Sequence, residues 1–193
     1  MSTRGEVLEL AILGRLQEAP MHGYELRKHL NVTLGTIRTL SYGSLYPCLK
    51  ALVAGGWIEQ ADTAAPPHAL AGRRARIVYR LTTAGKERLA DSLAQTGPAA
   101  WEDESFAVRF SLFHETDPQT RLQLLEGRRA RMLQRRASMR EQVRAGRERR
   151  DRYTLELQRH GLDLIEKEIG WLEELIVAER TDDPRQDNPE ENP

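Results

Sequence analysis

The sequence predicts a mainly α-helical chain in which a small N-terminal domain of helices and one β-hairpin precedes a C-terminal arm of two antiparallel helices. Three observations carry this. Before residue 96, four short segments place apolar residues at helical spacing, and two β-forming runs interrupt them once. Beyond Pro118, helical spacing continues through two much longer segments. Charge is also segregated along the chain, although Lys plus Arg equals Asp plus Glu at 29 each. Residues 1–90 hold 12 basic and 7 acidic side chains, residues 121–152 hold 12 and 4, and residues 153–193 hold 4 and 12. A neutral total conceals a basic head and an acidic tail.

The first helix is expected from Glu6 to Ala19, where Val7, Leu8, Leu10, Ala11, Ile12, Leu13 and Leu16 make it apolar around most of its circumference. Pro20 stops it, and Gly23 to Leu30 forms a second short helix. A Thr- and Gly-containing connector from Asn31 to Leu40 leads to a third helix that ends at Gly55 and Gly56, where glycine supplies the left-handed C-terminal cap. Its start lies between Ser41 and Ser44. With Ser44 as N-cap, Pro47 falls in the first turn, where its missing N–H costs little; with Ser41, Pro47 lies further inside and bends the helix. Trp57 to Ala61 and Arg76 to Leu81 read as a hairpin with a long Pro- and Gly-containing tip that ends in Arg73, Arg74 and Arg76. A fourth helix begins near Thr82 or Thr83.

Helix, helix, helix, hairpin, helix within about ninety residues is the order of a winged helix-turn-helix. Thr96, Gly97 and Pro98 mark a boundary, a short helix covers Trp101 to Phe113, and Asp117 with Pro118 caps a long helix to about Arg149. A last helix spans about Arg152 to Arg180. The expected division is residues 1–96 as the winged domain, 97–180 as a helical dimerisation domain and 181–193 as a disordered acidic tail.

Composition narrows the function classes. Acids within Met1 to Glu9 occupy the stretch that a signal peptide makes apolar, and no segment approaches membrane-spanning length, so a cytoplasmic protein with no membrane partner is expected. The single cysteine, Cys48, has no disulfide partner and no companions for a zinc cluster. His22, His29, His68, His114 and His160 are scattered, and there is neither a phosphate-cradling glycine loop nor a nucleophile elbow. No catalytic activity, metal or cofactor is expected.

On a wheel at about 100° per residue, the third helix turns Leu45, Leu49, Leu52 and Val53 to the core and Gly43, Ser44, Pro47, Lys50, Ala51 and Ala54 outward. Small residues around one long cation suit a helix lying close to the floor of a major groove, with Ser44 bonding base edges or phosphate and Lys50 reaching guanine or backbone. Tyr42 and Tyr46 either bond phosphate through their hydroxyls or pack at the edge of the core. Arg73, Arg74 and Arg76 lie where a wing meets phosphates or a minor groove.

Met21-His22-Gly23-Tyr24-Glu25-Leu26, then Ser41-Tyr42-Gly43-Ser44-Leu45-Tyr46-Pro47-Cys48-Leu49-Lys50-Ala51-Leu52, Gly55-Gly56-Trp57-Ile58 and Tyr79-Arg80-Leu81-Thr82-Thr83-Ala84-Gly85 together resemble the PadR family of transcriptional regulators. The resemblance spans the N-terminal domain. Tyr153 to Leu157 and Trp171 to Leu175 are more loosely similar to the helical tail of the family's longer members. It implies a homodimeric winged-helix repressor that binds a palindromic operator in double-stranded DNA and, in some members, releases it when a small effector binds. By position, Tyr24, Ser41, Tyr42, Ser44, Tyr46 and Lys50 fall in the DNA-contacting set and Arg73, Arg74 and Arg76 in the wing.

In the last helix Leu155, Leu162, Ile165, Ile169, Leu172 and Ile176 follow steps of three and four, with a gap at Gln158, and Leu157, Leu164, Trp171 and Ala178 form a second line. One side is expected to face the chain's own subunit and the other a partner. Leu162, Ile165, Ile169, Leu172 and Ile176 are taken as the dimerisation line; a monomeric helical hairpin is the alternative. The arginines between Arg128 and Arg147 are expected to be a solvated face that pairs with the acidic last helix. Trp101, Phe106 and Phe110 either line a pocket for a small hydrophobic or aromatic effector or pack as ordinary core. A helical interaction protein that uses the winged domain only as scaffold is the rival function.

Overall fold

In the computed structural model the described residues are 3–34, 42–62, 77–146 and 151–181. The elements are α1 (Thr3–Glu18), β1 (Met21–His22), α2 (Gly23–Leu34), α3 (Tyr42–Ala54), β2 (Ile58–Asp62), β3 (Ile77–Leu81), α4 (Thr83–Leu93), α5 (Asp103–Ser111), α6 (Pro118–Gly146) and α7 (Arg152–Thr181), with 3-10 turns at Pro98–Trp101 and Phe113–Glu115. They fall into two compact units. One comprises the chain through Gln95 together with Glu102–Thr116; the other comprises Thr96–Trp101 and everything from Asp117 onward.

In the first unit α1 is the central element. Leu8, Leu10, Ala11, Ile12, Leu13 and Leu16 are all buried, as the near-continuous apolar pattern requires. Around them gather Leu26 and Leu30 of α2, Leu45, Leu49 and Leu52 of α3, Ile58 of β2, Tyr79 and Leu81 of β3, and Leu89 and Leu93 of α4. The sheet is antiparallel in the order β1-β3-β2, with Ile58 opposite Leu81 and Met21 opposite Tyr79. A hairpin alone was expected; β1 adds a third strand too short to show any alternation. Its His22 is fixed twice: the ring Nδ1 lies 3.2 Å from the Ile77 carbonyl, and the backbone N–H donates to Glu25 at 3.1 Å.

Two separated sequence motifs meet in one junction. After α3, the N–H of Gly56 donates to the Val53 carbonyl and that of Trp57 to the Leu52 carbonyl, with Gly56 at φ +72°, which satisfies the last carbonyls of the helix. Thr82, the N-cap of α4, accepts from the Gly85 N–H at 3.0 Å while its hydroxyl lies 2.7 Å from the Gly56 carbonyl. Gly85 is required there, because a Cβ would run into the Trp57 carbonyl. Over the same place the Arg88 guanidinium lies on the Trp57 ring and bonds the buried Glu9 at 2.8 Å.

The segment Glu102–Thr116, expected in the dimerisation domain, belongs to the first unit. Val108 and Leu112 join that unit's core, with Leu112 against Gly14 of α1. Buried Arg109 donates to the carbonyls of Ser92 and Leu93 at the end of α4, and burial pushes its guanidinium pKa below the ordinary range. In the second unit α6 and α7 run side by side, closed by Leu124, Leu125 and Met132 from one helix and Ile165, Ile169, Leu172 and Ile176 from the other. Asp117 and Asp151 cap the two helices through the N–H groups of Thr120 and Thr154. Arginines of α6 meet acids of α7 as charge predicts, in the pairs Arg121–Glu179, Arg128–Glu168, Arg129–Glu173 and Arg140–Glu166. Arg128 departs from the expected solvated face: its side chain is buried and also holds the Trp101 carbonyl at 2.7 Å. The tail from residue 182 lies outside the described residues.

Candidate nucleic-acid interface

The candidate surface is built on α3. Leu45 and Leu49 one turn apart, with Leu52 beyond, are at most 1% exposed and fix the roll of the helix on α1 and α2. That roll exposes Gly43, Pro47, Lys50, Ala51 and Ala54, with Ser44 half-buried at the margin. Such a face carries one flexible cation on a floor of small side chains. It can approach a negatively charged groove closely, and Lys50 can reach a base edge or a phosphate.

Of the two sequence alternatives for the start of α3, the structure selects the earlier. The helix begins at Tyr42, so Ser44 lies within it and Pro47 sits inside the helix rather than in a first turn capped by Ser44. Tyr46 is half-buried and packs against the core, its hydroxyl beside Gly23 at the start of α2 and near the ring of Tyr79. Burial, with Tyr46 next in weight, raises the Tyr79 pKa against an opposing hydrogen bond from Gln60. Tyr24, in the first turn of α2, is 65% exposed. The side chain of Tyr42 and the residues Ser41, Arg73, Arg74 and Arg76 lie outside the described residues.

Cys48 shares α3 but turns inward. Burial, reinforced by the nearby Glu9 carboxylate, pushes its thiol up to about 11, so it stays protonated. Sequence reasoning did not single out Glu9, Arg88, Arg109 or Phe113. The trio Trp101, Phe106 and Phe110 divides: Phe106 and Phe110 stack in the first unit at 5.9 Å, with Phe113 a further 4.9 Å from Phe110, whereas Trp101 belongs to the second unit beside Gly127.

The dimerisation line needs correction. Ile165, Ile169, Leu172 and Ile176 are buried within their own chain against α6, and Leu162 is half-buried. Intrachain closure takes this line because it is the longest uninterrupted one on α7. Apolar exposure on the helix lies elsewhere, at Tyr153, Leu157, Leu164, Trp171 and Val177. Among the described residues no cluster of His, Cys, Asp and Glu could hold a metal ion, and no helix is long and apolar enough to cross a membrane.

Residues 12–91 match the model of the transcriptional regulator PadR-like family. The negative transcriptional regulator PadR of Bacillus subtilis (strain 168) is 31% identical over 93 residues, which make up 48% of this chain and 48% of that protein. The match therefore spans about half the length of this curated relative. Among solved structures, Bacillus subtilis PadR in complex with operator DNA is 21% identical, with a TM-score of 0.43 over 90% of this chain and 99% of that one. The same protein in complex with p-coumaric acid is 20% identical, with a TM-score of 0.41 over the same shares. Residues 12–91, which run from within α1 into α4 and take in the three-stranded sheet, are thus similar to the PadR-like family of transcriptional regulators.

Proposed function

We propose that the chain is a sequence-specific repressor that holds a palindromic operator as a homodimer and leaves it when a small hydrophobic or aromatic effector binds. The observation that carries this is the outer face of α3, where Lys50 stands alone among small exposed residues while Leu45, Leu49 and Leu52 anchor the opposite side. Repression rather than activation is favoured by the name of the Bacillus subtilis relative, a negative regulator. Lys50 and Ser44 are the base-reading candidates. Tyr24, Ser41 and Tyr42 position the helix on phosphates, Tyr46 holds it against the core, and Arg73, Arg74 and Arg76 supply the wing's charge. Phe106 and Phe110, with Phe113 beside them, are the aromatic contacts that the first unit offers to an effector, and Trp101 is a separate candidate within the second. The first unit, with Glu102–Thr116 packed into it, reads the DNA, the helices α6 and α7 assemble the dimer, and the cytoplasm is where both act.

Selection of bound fragments from genomic DNA with the purified protein tests the reading. An enriched palindrome is expected, its half-sites separated so that two reading helices enter major grooves about 34–36 Å apart or a multiple of that. Failure to enrich any sequence, even at low salt, overturns it and favours the helical interaction protein. The effector is tested on the enriched operator: a library of small aromatic compounds should contain members that release the DNA and raise the melting temperature of the free protein.

A further inference from the structure

The sheet ends unevenly at the foot of the wing. β3 is its middle strand, and its two neighbours do not accompany it equally far. On the β2 side pairing continues to Asp62 opposite Ile77, the residue that follows Arg76, whereas on the β1 side it stops one residue earlier, at His22 opposite Val78. The missing rung would be Gly23 opposite Ile77, but Gly23 is the first residue of α2 and its backbone has already turned into the helix. His22 fills the place with its side chain, the ring Nδ1 lying 3.2 Å from the Ile77 carbonyl. A carbonyl only accepts, so Nδ1 donates, and in this bond it carries its proton whether the ring is neutral or charged.

The residue that supplies this rung is itself held. Its backbone N–H donates to Glu25 of α2 at 3.1 Å. A Cβ at the neighbouring Gly23 would meet the Tyr46 hydroxyl at 3.3 Å and the Tyr79 ring at 3.4 Å, so α3 and β3 both close on the residue beside His22. Tyr46 stands one turn before Lys50 on α3. We propose that His22 is a positioning residue for DNA recognition: its imidazole fixes the foot of the wing against the reading helix without touching the duplex. The proposal rests on the DNA-binding reading above and adds a residue outside its contact set. Arg73, Arg74 and Arg76 lead directly into Ile77 in the sequence, so the chain that bears those charges departs from a fixed point wherever the Ile77 carbonyl is held. Without the bond, that ordering becomes a cost of binding.

Amide side chains separate the tether from the rest of the ring, because the nitrogen of Asn takes the place of Nδ1 and that of Gln the place of Nε2. His22→Ala and His22→Gln should each lower affinity for the enriched palindrome by about three- to tenfold, the range of one lost hydrogen bond. His22→Asn should restore most of it. The ratio of parent to variant affinity should be the same at pH 6 and pH 8. A histidine that met phosphate as a cation would give a larger ratio at pH 6, and that outcome overturns the tether in favour of a direct contact. Combined with Arg76→Ala, His22→Ala should lose less than the two single losses together, whereas combined with Lys50→Ala it should lose the full sum. Full sums in both combinations, or a His22→Asn as weak as His22→Ala, would reduce His22 to a contributor to stability and overturn the proposal. Melting temperature reveals a His22→Ala that does not fold; the comparison of His22→Asn with His22→Gln then decides, and equal affinities overturn the proposal. A parent that binds duplex no better than His22→Ala overturns the proposal alone, and a parent that binds no duplex at low salt overturns the DNA-binding reading with it.

Discussion

At the residue level the junction of Gly56, Trp57, Thr82 and Gly85 governs how the wing strands leave the helices. Gly85→Ala forces a methyl group into the Trp57 carbonyl, and because the obstacle is backbone rather than a flexible side chain, relief requires α4 and β2 to separate. The expected cost is about 1–3 kcal/mol, measured by thermal or urea unfolding, and a melting point equal to that of the parent would show that the junction yields. Thr82→Ala loses the N-cap and the bond to the Gly56 carbonyl together, at about 1–2 kcal/mol. Cys48 provides a different kind of check. A thiol held near 11 exposes almost no thiolate at pH 8, so alkylation of the folded protein should be slow and should accelerate on adding denaturant.

At the level of the elements, α6 and α7 begin at carboxylates whose pKa values are lowered because hydrogen bonds favour the charged form. At Asp117 the bonds come from the Thr120 side chain and backbone, and at Asp151 from those of Thr154. A depressed folded pKa means that the stabilisation is present above the unfolded value of about 3.9 and is lost as pH falls through the folded value. The arm should therefore fray from both N-termini on acidification below pH 4, and Asp117→Ala should lose the Asp117 contribution to this transition. On α3, Lys50→Ala is expected to lower operator affinity by about 1–3 kcal/mol and relax preference at one base pair. Arg73→Ala should instead weaken all sequences alike and flatten the salt dependence. Equal, sequence-independent losses from both would displace the reading face from α3. These elements differ in how far the sequence disclosed them. The long helices and the buried side of α3 were legible because apolar spacing dictates them. Strand β1 was not, since two residues cannot display a period, and the start of α3 was not, since Ser41 and Ser44 are equally good caps. Arg109 and Arg128 escaped because an arginine looks the same in sequence whether its guanidinium meets water or a buried carbonyl.

For the whole molecule, the burial of Ile169 changes what a charge there would do. Ile169→Asp places a carboxylate between α6 and α7 within one subunit, so helical content and assembly should be lost together rather than assembly alone. Circular dichroism and sedimentation on one sample check this, and a well-folded monomer would contradict the intrachain assignment. Leu164→Asp, at an exposed position of α7, is expected to give that folded monomer. Its operator affinity should fall by orders of magnitude with every DNA contact intact, because two half-sites no longer share an effective concentration.

Pro47 lies inside α3 and carries no N–H, so the carbonyl of Gly43 receives no amide from the residue four positions on. The missing bond falls between Leu45 and Leu49, which are both buried, so the core grips α3 on each side of it. Amide protection in deuterium exchange should therefore dip beside Pro47 without being lost from the turn that carries Leu45. The proline removes one rung of the ladder and leaves the helix seated through Leu45 as well as through Leu49 and Leu52.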